Sequence, residues 1–174
     1  MLKVILLSCL FFAGNVWAES IEQTRVKAER GDSVAQVEMG YAYDKGQGVL
    51  QDYKEAVKWY RLAAEQGDSV AQYNLGILFD KGQGVLQDYK EAVKWYRLAA
   101  EQGVPRAQVN LGKMYVRGQG VLQDYKLAHM WWNIAAIDGD EIASKNREIV
   151  AKQMSSEDVS KAQDMAREWV KNQK

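Results

Sequence analysis

The chain has 174 residues, enough for one domain with a substantial core, and its 23 basic and 23 acidic side chains balance. The basic residues are scattered rather than clustered, which argues against nucleic acid as a partner.

Residues 1–18 have the features of a secretory signal peptide. Lys3 precedes an apolar run over 4–13, and Val16 and Ala18 are small residues placed as before a cleavage point. The run is about half as long as a permanent membrane-spanning helix. We therefore expect cleavage after Ala18 and a periplasmic or secreted protein without a transmembrane segment.

Cys9, the only cysteine, lies in this signal, so no disulfide, thiol nucleophile or thiolate metal site is expected afterwards. Cys9 also resembles a lipoprotein site, but the apolar run continues past it, which favours cleavage after Ala18.

Glycines repeat along the chain at a fixed distance of 36 residues. One series is Gly46, Gly82 and Gly118, and the other is Gly31, Gly67, Gly103 and Gly139. The segment DKGQGVLQDYKEAVKWYRLAAEQG occurs at 44–67 and recurs unchanged at 80–103. A period of this size predicts an array of helical hairpins.

Apolar residues with helical spacing predict two helices in each unit. In the middle unit the predicted core positions are Ala71, Leu75, Leu78 and Phe79 in the first helix and Ala92, Trp95, Tyr96 and Ala99 in the second. The period divides the chain into an N-terminal capping helix at 19–31, three repeats at 32–67, 68–103 and 104–139, and a partial repeat with a C-terminal capping helix at 140–174. Atypical terminal units are expected because they cover the ends of the core.

Residues at the predicted helix ends support these boundaries. Asp52 stands at an N-cap position with Glu55 three residues later, which predicts a capping box that recurs in the next unit. Ser155 and Asp158 predict another at the last helix. Pro105 falls at the first position of a helix, where a proline costs least. The KGQGVLQ segment follows a helix and lacks a subsequent GKS or GKT, so we interpret it as a turn rather than a phosphate loop.

The pattern A-Q-x-N-L-G-x-x-[YF]-x-x-G-x-G-V-x-x-D-Y-x-x-A-x-x-W-[YW]-x-x-A-A-x-x-G, at 71–103 and 107–139, closely resembles the Sel-one-like repeat, a relative of the tetratricopeptide repeat. The resemblance covers nearly all of the chain after position 18. It implies an all-α fold, a right-handed α/α superhelical solenoid of about three repeats with capping helices. Members usually act as adaptor or scaffold surfaces, and many are exported by bacteria. The family does not share one biochemical activity.

The three first helices read SVAQVEMGYAYDK, SVAQYNLGILFDK and PRAQVNLGKMYVR. At about 100° per residue, the positions that stay constant or apolar fall on one face, and those that change in character fall on the opposite face. The constant face predicts core packing with Trp59 and Tyr60, and Gln36 on that face needs backbone partners.

In tetratricopeptide-like arrays the first helices line a concave groove, so we expect the changing positions to contact a protein or peptide partner. The alternative is that neighbouring residues fill the groove and that the variation is drift. The predicted partner-binding residues are Val34, Val37, Glu38, Tyr41, Val70, Tyr73, Asn74, Ile77, Arg106, Val109, Asn110 and Lys113.

Residues that would carry catalysis are hard to find. His129 is the only histidine, so we expect a packed or half-exposed residue and no zinc site. The chain contains no S-x-x-K after position 18 and no G-x-S-x-G, and its acids fit caps and helix surfaces. We therefore predict no catalytic residue, cofactor or metal. A cysteine-rich branch related to these repeats has been assigned penicillin binding and β-lactamase activity, but it carries two cysteines per repeat, and we do not transfer that activity.

These observations favour an exported bacterial scaffold or adaptor that binds another protein. Two other classes stay open: a cell-wall-associated binding protein or β-lactamase-like hydrolase, and a secreted host-interaction factor or toxin antagonist. Binding or turnover of peptidoglycan would indicate the first, and cell fractionation would indicate the second.

Overall fold

The computed structural model describes residues 20–137 and 139–173, and the predicted signal, its cleavage point and Cys9 lie outside this range. All regular structure in the described part is helical. The helices are α1 (20–29), α2 (Ser33–Lys45), α3 (Tyr53–Glu65), α4 (Ser69–Lys81), α5 (Tyr89–Glu101), α6 (Pro105–Arg117), α7 (Tyr125–Ile137), α8 (Glu141–Ala151) and α9 (Ser156–Asn172). The predicted all-α solenoid is confirmed. We call α2, α4, α6 and α8 the first helices, and α1, α3, α5 and α7 the second helices.

The helix ends follow the predicted local chemistry in part. Asp52 Oδ1 accepts hydrogen bonds from the amides of Lys54 and Glu55, at 2.8 and 3.2 Å. The reciprocal half of the capping box is absent, because the Asp52 amide donates to the Tyr43 carbonyl at 3.0 Å and the Glu55 carboxylate pairs with Lys58 instead. The N-cap aspartate therefore also ties the start of α3 to the end of α2.

Each hairpin closes on a glycine in the middle of its first helix. A Cβ atom at Gly76 would lie 2.6 Å from the Tyr96 ring, and one at Gly40 would lie as close to Tyr60. Tyr60 and Tyr96 are almost completely buried, at 0% and 1% exposure. The constant glycine thus allows the aromatic ring of the second helix to reach the first helix.

Buried glutamines join each second helix to the next first helix. Gln36 Nε2 donates to the Ala28 carbonyl at 3.0 Å, and Gln72 Nε2 donates to the Ala64 carbonyl at 3.2 Å. These are the backbone partners that the sequence predicted. A second glutamine also crosses the joint between units, because Gln102 Nε2 donates to the Gly67 carbonyl of the preceding unit at 3.0 Å. The same amide donates to Gln72 Oε1 of its own unit at 2.8 Å, and Gln66 donates in the same way to Gln36 within the first unit.

Arginines on the second helices make a further contact between units. The Arg97 guanidinium donates to the Tyr115 hydroxyl at 2.8 Å, and Arg25 donates to the Tyr43 hydroxyl at 3.3 Å. The guanidinium of Arg61 in the first unit lies 5.8 Å from the centre of the Phe79 ring in the middle unit. Each of these pairs is separated by 18 residues, so the same contact recurs along the stack.

The last helix leaves the pattern of the repeats. Helix α9 packs against α7 rather than pairing with α8 as the second helices pair with their first helices. The Trp131 and Trp169 rings meet edge to face at 5.7 Å between centres, and Lys126 pairs with Asp158 at 3.5 Å. Because α9 lies on α7, the groove side of α8 is not covered by α9.

The two rows of helices are not equally spaced. Two pairs of successive first helices, α2 with α4 and α6 with α8, contact each other, whereas the successive second helices α3 with α5 and α5 with α7 are less close. The more closely spaced row lies on the inner side of a curved stack. The first helices therefore line the concave side of the solenoid.

Candidate protein-binding groove

A cavity of about 480 Å³ lies on the concave side near the N-terminal end. Side chains of α1, α2 and α4 form it together. Its main lining residues are Ser20, Ile21, Thr24, Val37, Glu38, Tyr41, Val70 and Asn74. Most of these side chains are apolar or uncharged, and Glu38 is the only ionisable carboxylate among them.

A second cavity of about 430 Å³ follows on the same side between α4, α6 and α8. Its lining residues are Tyr73, Arg106, Val109, Asn110, Lys113, Asp140 and Ile142. Tyr73 is half-buried because its ring packs 6.1 Å from that of Tyr96. Burial raises the pKa of Tyr73, and the positive charge of Arg106 opposes this shift. The Tyr73 side chain is therefore neutral at physiological pH, and it offers a hydroxyl for hydrogen bonding and an apolar ring.

A third cavity of about 290 Å³ continues toward the C-terminal end. It shares Lys113 with the second cavity and adds Arg117, Asn146 and Ile149. The first two cavities meet at α4, where Asn74 lines one and the neighbouring Tyr73 lines the other. We call the surface formed by these three cavities the groove.

Most of the predicted partner-binding residues line this groove, and two do not. Val34 lies outside the three cavities with 64% of its surface exposed. Ile77 is half-buried and packs against the hydrophobic core, so little of its side chain is available. Val109 lines the second cavity but is only 5% exposed, which makes it part of the cavity floor.

Sequence reasoning did not identify the groove residues of α8 and α1. Ile142 is 57% exposed and Ile149 is 62% exposed, and they occupy in α8 the positions that Arg106 and Lys113 occupy in α6. Extending the alignment by one more period would have found them. In α1, Ile21 faces the first cavity because no preceding first helix covers it within the described residues.

Three leucines form another exposed apolar surface, outside the groove. Leu50, Leu86 and Leu122 occupy the same position in the three turns between first and second helices, and they are 91%, 91% and 90% exposed. The following glutamine folds back into the turn, as Gln87 Nε2 donates to the Asp80 carbonyl at 2.7 Å. We call these residues the leucine row.

The candidate catalytic and metal-binding residues are not assembled into a site in the described part of the chain. His129 is buried at 2% exposure, and burial together with Arg147 lowers its pKa. No group of histidine, cysteine, aspartate or glutamate residues at 20–137 and 139–173 could hold a metal ion. None of the described helices is long and apolar enough to cross a membrane.

A solenoid of helical hairpins with an unfilled groove on its concave side belongs to the class of helical-repeat interaction proteins. The Sel1 repeat model matches residues 33–68, 69–104 and 105–140. The chain belongs to the Sel1 repeat family, whose repeats commonly serve as scaffolds for protein–protein interaction. No curated protein sequence matches the chain.

Three solved structures are similar to the chain. A protective antigen of uropathogenic Escherichia coli strains with an SLR fold is 28% identical with a TM-score of 0.68, over 91% of this chain and 44% of the antigen. A Sel1 repeat protein from Oxalobacter formigenes is 36% identical with a TM-score of 0.68, over 79% of this chain and 59% of that protein. The chain thus spans about half the length of these two relatives. Helicobacter pylori cysteine rich protein B, 17% identical with a TM-score of 0.60 over 76% of this chain and 95% of that one, shares the fold.

Proposed function

We propose that this protein is an exported scaffold or adaptor that binds another protein or a peptide in its concave groove. One observation carries the proposal. The first-helix positions that change between units lie beside three open cavities, whereas the constant positions pack against the second helices. The core therefore does not require the side chains that line the groove.

The groove offers apolar surface at both ends. Val70 is 51% exposed and Tyr41 is 46% exposed beside the first cavity, and Ile149 is 62% exposed beside the third. Apolar side chains gathered along an open groove favour binding of a partner's apolar side chains, because both surfaces then leave water. An extended or helical segment is the shape that fits a groove running across four parallel elements.

Export is the second part of the proposal, and it rests on the signal-like composition of residues 1–18. A similar protein, from uropathogenic Escherichia coli strains, is a protective antigen. We expect fractionation of the source organism to find the protein in the periplasm or the medium, with Glu19 as its first residue. Recovery of an uncleaved cytoplasmic form would contradict this expectation.

Site-specific photo-crosslinking tests the groove directly. A photoreactive phenylalanine analogue replaces Tyr41 in one variant and Leu122 in the other, since both side chains are exposed but only Tyr41 lines a groove cavity. We expect the analogue at position 41 to form a crosslink to a partner in envelope extract, and the analogue at 122 to form none. Equal crosslinking at both positions, or crosslinking at 122 alone, would refute the groove as the binding surface.

A groove variant provides the matched loss-of-binding experiment. Tyr41→Ala with Val70→Ala and Ile149→Ala removes exposed apolar surface from the groove, and alanine replacement of the leucine row removes an even more exposed apolar surface elsewhere. The first variant should lose the partner and the second should retain it, with both melting like the parent protein.

A further inference from the structure

The charges along the groove are unevenly distributed. Glu38 is the only charged residue lining the first cavity. The second and third cavities together contain Arg106, Lys113 and Arg117, with Asp140 as their only acid. The groove therefore changes from weakly acidic at its N-terminal end to basic at its C-terminal end.

The basic residues of this half have no acidic partner in the described part of the chain. Arg106, Lys113 and Arg117 take part in none of the ion pairs at 20–137 and 139–173. Asp140 is already engaged, since its Oδ1 accepts the Ala143 amide at 2.8 Å as the N-cap of α8. The positive charge of the second cavity is thus only partly balanced.

Two of these cations are arranged to contact one ligand. Arg106 and Lys113 are seven residues apart on α6, which places them about two turns, roughly 10 Å, apart on one face of the helix. Both line the second cavity, and Asn110 lies between them. A ligand along the groove can therefore meet both cations, with an amide between them.

Apolar side chains flank this basic surface. Ile142 lines the second cavity and Ile149 the third, each more than half exposed. A phosphate backbone would place charge against these isoleucines, whereas a peptide can alternate carboxylates with apolar side chains. The balanced charge of the whole chain, 23 basic and 23 acidic residues, also provides no excess attraction for a polyanion.

We infer that the groove binds a peptide segment in which acidic residues alternate with apolar ones, and that its carboxylates lie over α6 between Arg106 and Lys113. Apolar side chains of the segment then contact Ile142 and Ile149 on one side and Val70 on the other. This inference rests on the proposed function, because it specifies the partner of the same groove.

The test uses three fluorescent 12-residue peptides that combine leucine with glutamate, glutamine or lysine at the same positions. Fluorescence anisotropy measures their binding to the chain that follows the predicted cleavage point, residues 19–174. We expect the glutamate peptide to bind about tenfold tighter than the glutamine peptide, and the lysine peptide to bind weakest. The preference should shrink as salt is raised, because the charges are partly exposed to solvent.

Two charge-reversal variants locate the preference. Arg106→Glu with Lys113→Glu should abolish the preference for glutamate. Lys54→Glu with Lys90→Glu makes the same change of charge on the second helices, outside the groove cavities, and should preserve it. An equal loss in both variants would mean that overall charge, not the groove, controls binding.

The outcomes separate this inference from the proposed function. If the glutamine and glutamate peptides bind equally and the apolar groove variant weakens both, the groove function stands and the acidic preference is refuted. Failure of all three peptides to bind at millimolar concentration refutes the inference, whereas the crosslinking from position 41 decides the groove function independently. Competition by a single-stranded oligonucleotide as effective as the glutamate peptide would assign the basic surface to polyanions and overturn the peptide assignment.

Discussion

Two identical tryptophans in identical 24-residue segments provide a test of how the stack is stabilised. Trp95 is 6% exposed in the middle unit, and its Nε1 donates to Glu91 Oε2 at 3.1 Å. Trp59 holds the same position one unit earlier but is only half-buried. Burying a tryptophan removes about 200 Å² from water, which at about 25 cal/mol per Å² corresponds to roughly 5 kcal/mol. Since alanine keeps the Cβ atom and the cavity relaxes in part, we expect Trp95→Ala to lower the free energy of unfolding by about 3–5 kcal/mol.

The same substitution at Trp59 should cost less, because that side chain is only partly buried. Tyr41→Ala should cost less than about 1 kcal/mol, since Tyr41 is 46% exposed. Urea unfolding followed by circular dichroism at a helix wavelength measures the free energy of unfolding of all three variants. The slope of this free energy against urea concentration is compared among the variants, because a changed slope indicates partial unfolding of the array. A loss at Tyr41 as large as that at Trp95 would refute the assignment of core and groove faces, and equal losses at Trp59 and Trp95 would refute the link between burial and cost.

Three further substitutions test the core, the hairpin contact and the leucine row. The lowered pKa of His129 means that the folded chain binds a proton less tightly than the unfolded chain, so stability should be complete above about pH 6.5 and decline as the pH falls below it. His129→Val should reduce this decline in urea unfolding at pH 7.5 and 5.0, and an unchanged difference would assign the decline to other groups. Gly76→Ala should lower stability by about 1–3 kcal/mol, because the alanine Cβ would lie 2.6 Å from the Tyr96 ring. This loss is expected despite the better helix propensity of alanine, and a stabilised variant would show that the ring moves freely. Leu86→Asn should change stability by less than about 0.5 kcal/mol, as its side chain is 91% exposed, and a larger loss in thermal unfolding would reveal a packing role.

Sequence periodicity predicted the helices well because the interactions that define them are local or repeated. An apolar stripe such as Leu75 to Phe79 determines the buried face of α4, and an N-cap such as Asp52 acts within three residues. The helix after Pro105 begins at the predicted position for the same reason. These features depend on neighbours that the sequence itself places close together.

The features that were missed depend on contacts between distant residues. The Asp52 amide bonds to the Tyr43 carbonyl across a turn, which removes the group that Glu55 was expected to cap. Helix α9 lies on α7, and that packing depends on the edge-to-face contact of Trp131 with Trp169. The apolar stripe of α9 is compatible with packing against either α7 or α8. The stripe alone therefore does not determine which of the two helices α9 contacts. The groove residues of α8 were missed because they follow the last complete unit.

The glutamine bonds across the joints have a consequence for how such a protein can grow. Gln72 Nε2 donates to the Ala64 carbonyl of the preceding unit, and Gln108 Nε2 donates in the same way to the Ala100 carbonyl. The segment 68–103 therefore carries both the donor for the unit before it, Gln72, and the acceptor for the unit after it, Ala100. A copy of this segment inserted in tandem would reproduce both groups and could lengthen the array without compensating changes. Duplication of a single unit is therefore an accessible evolutionary step within the array.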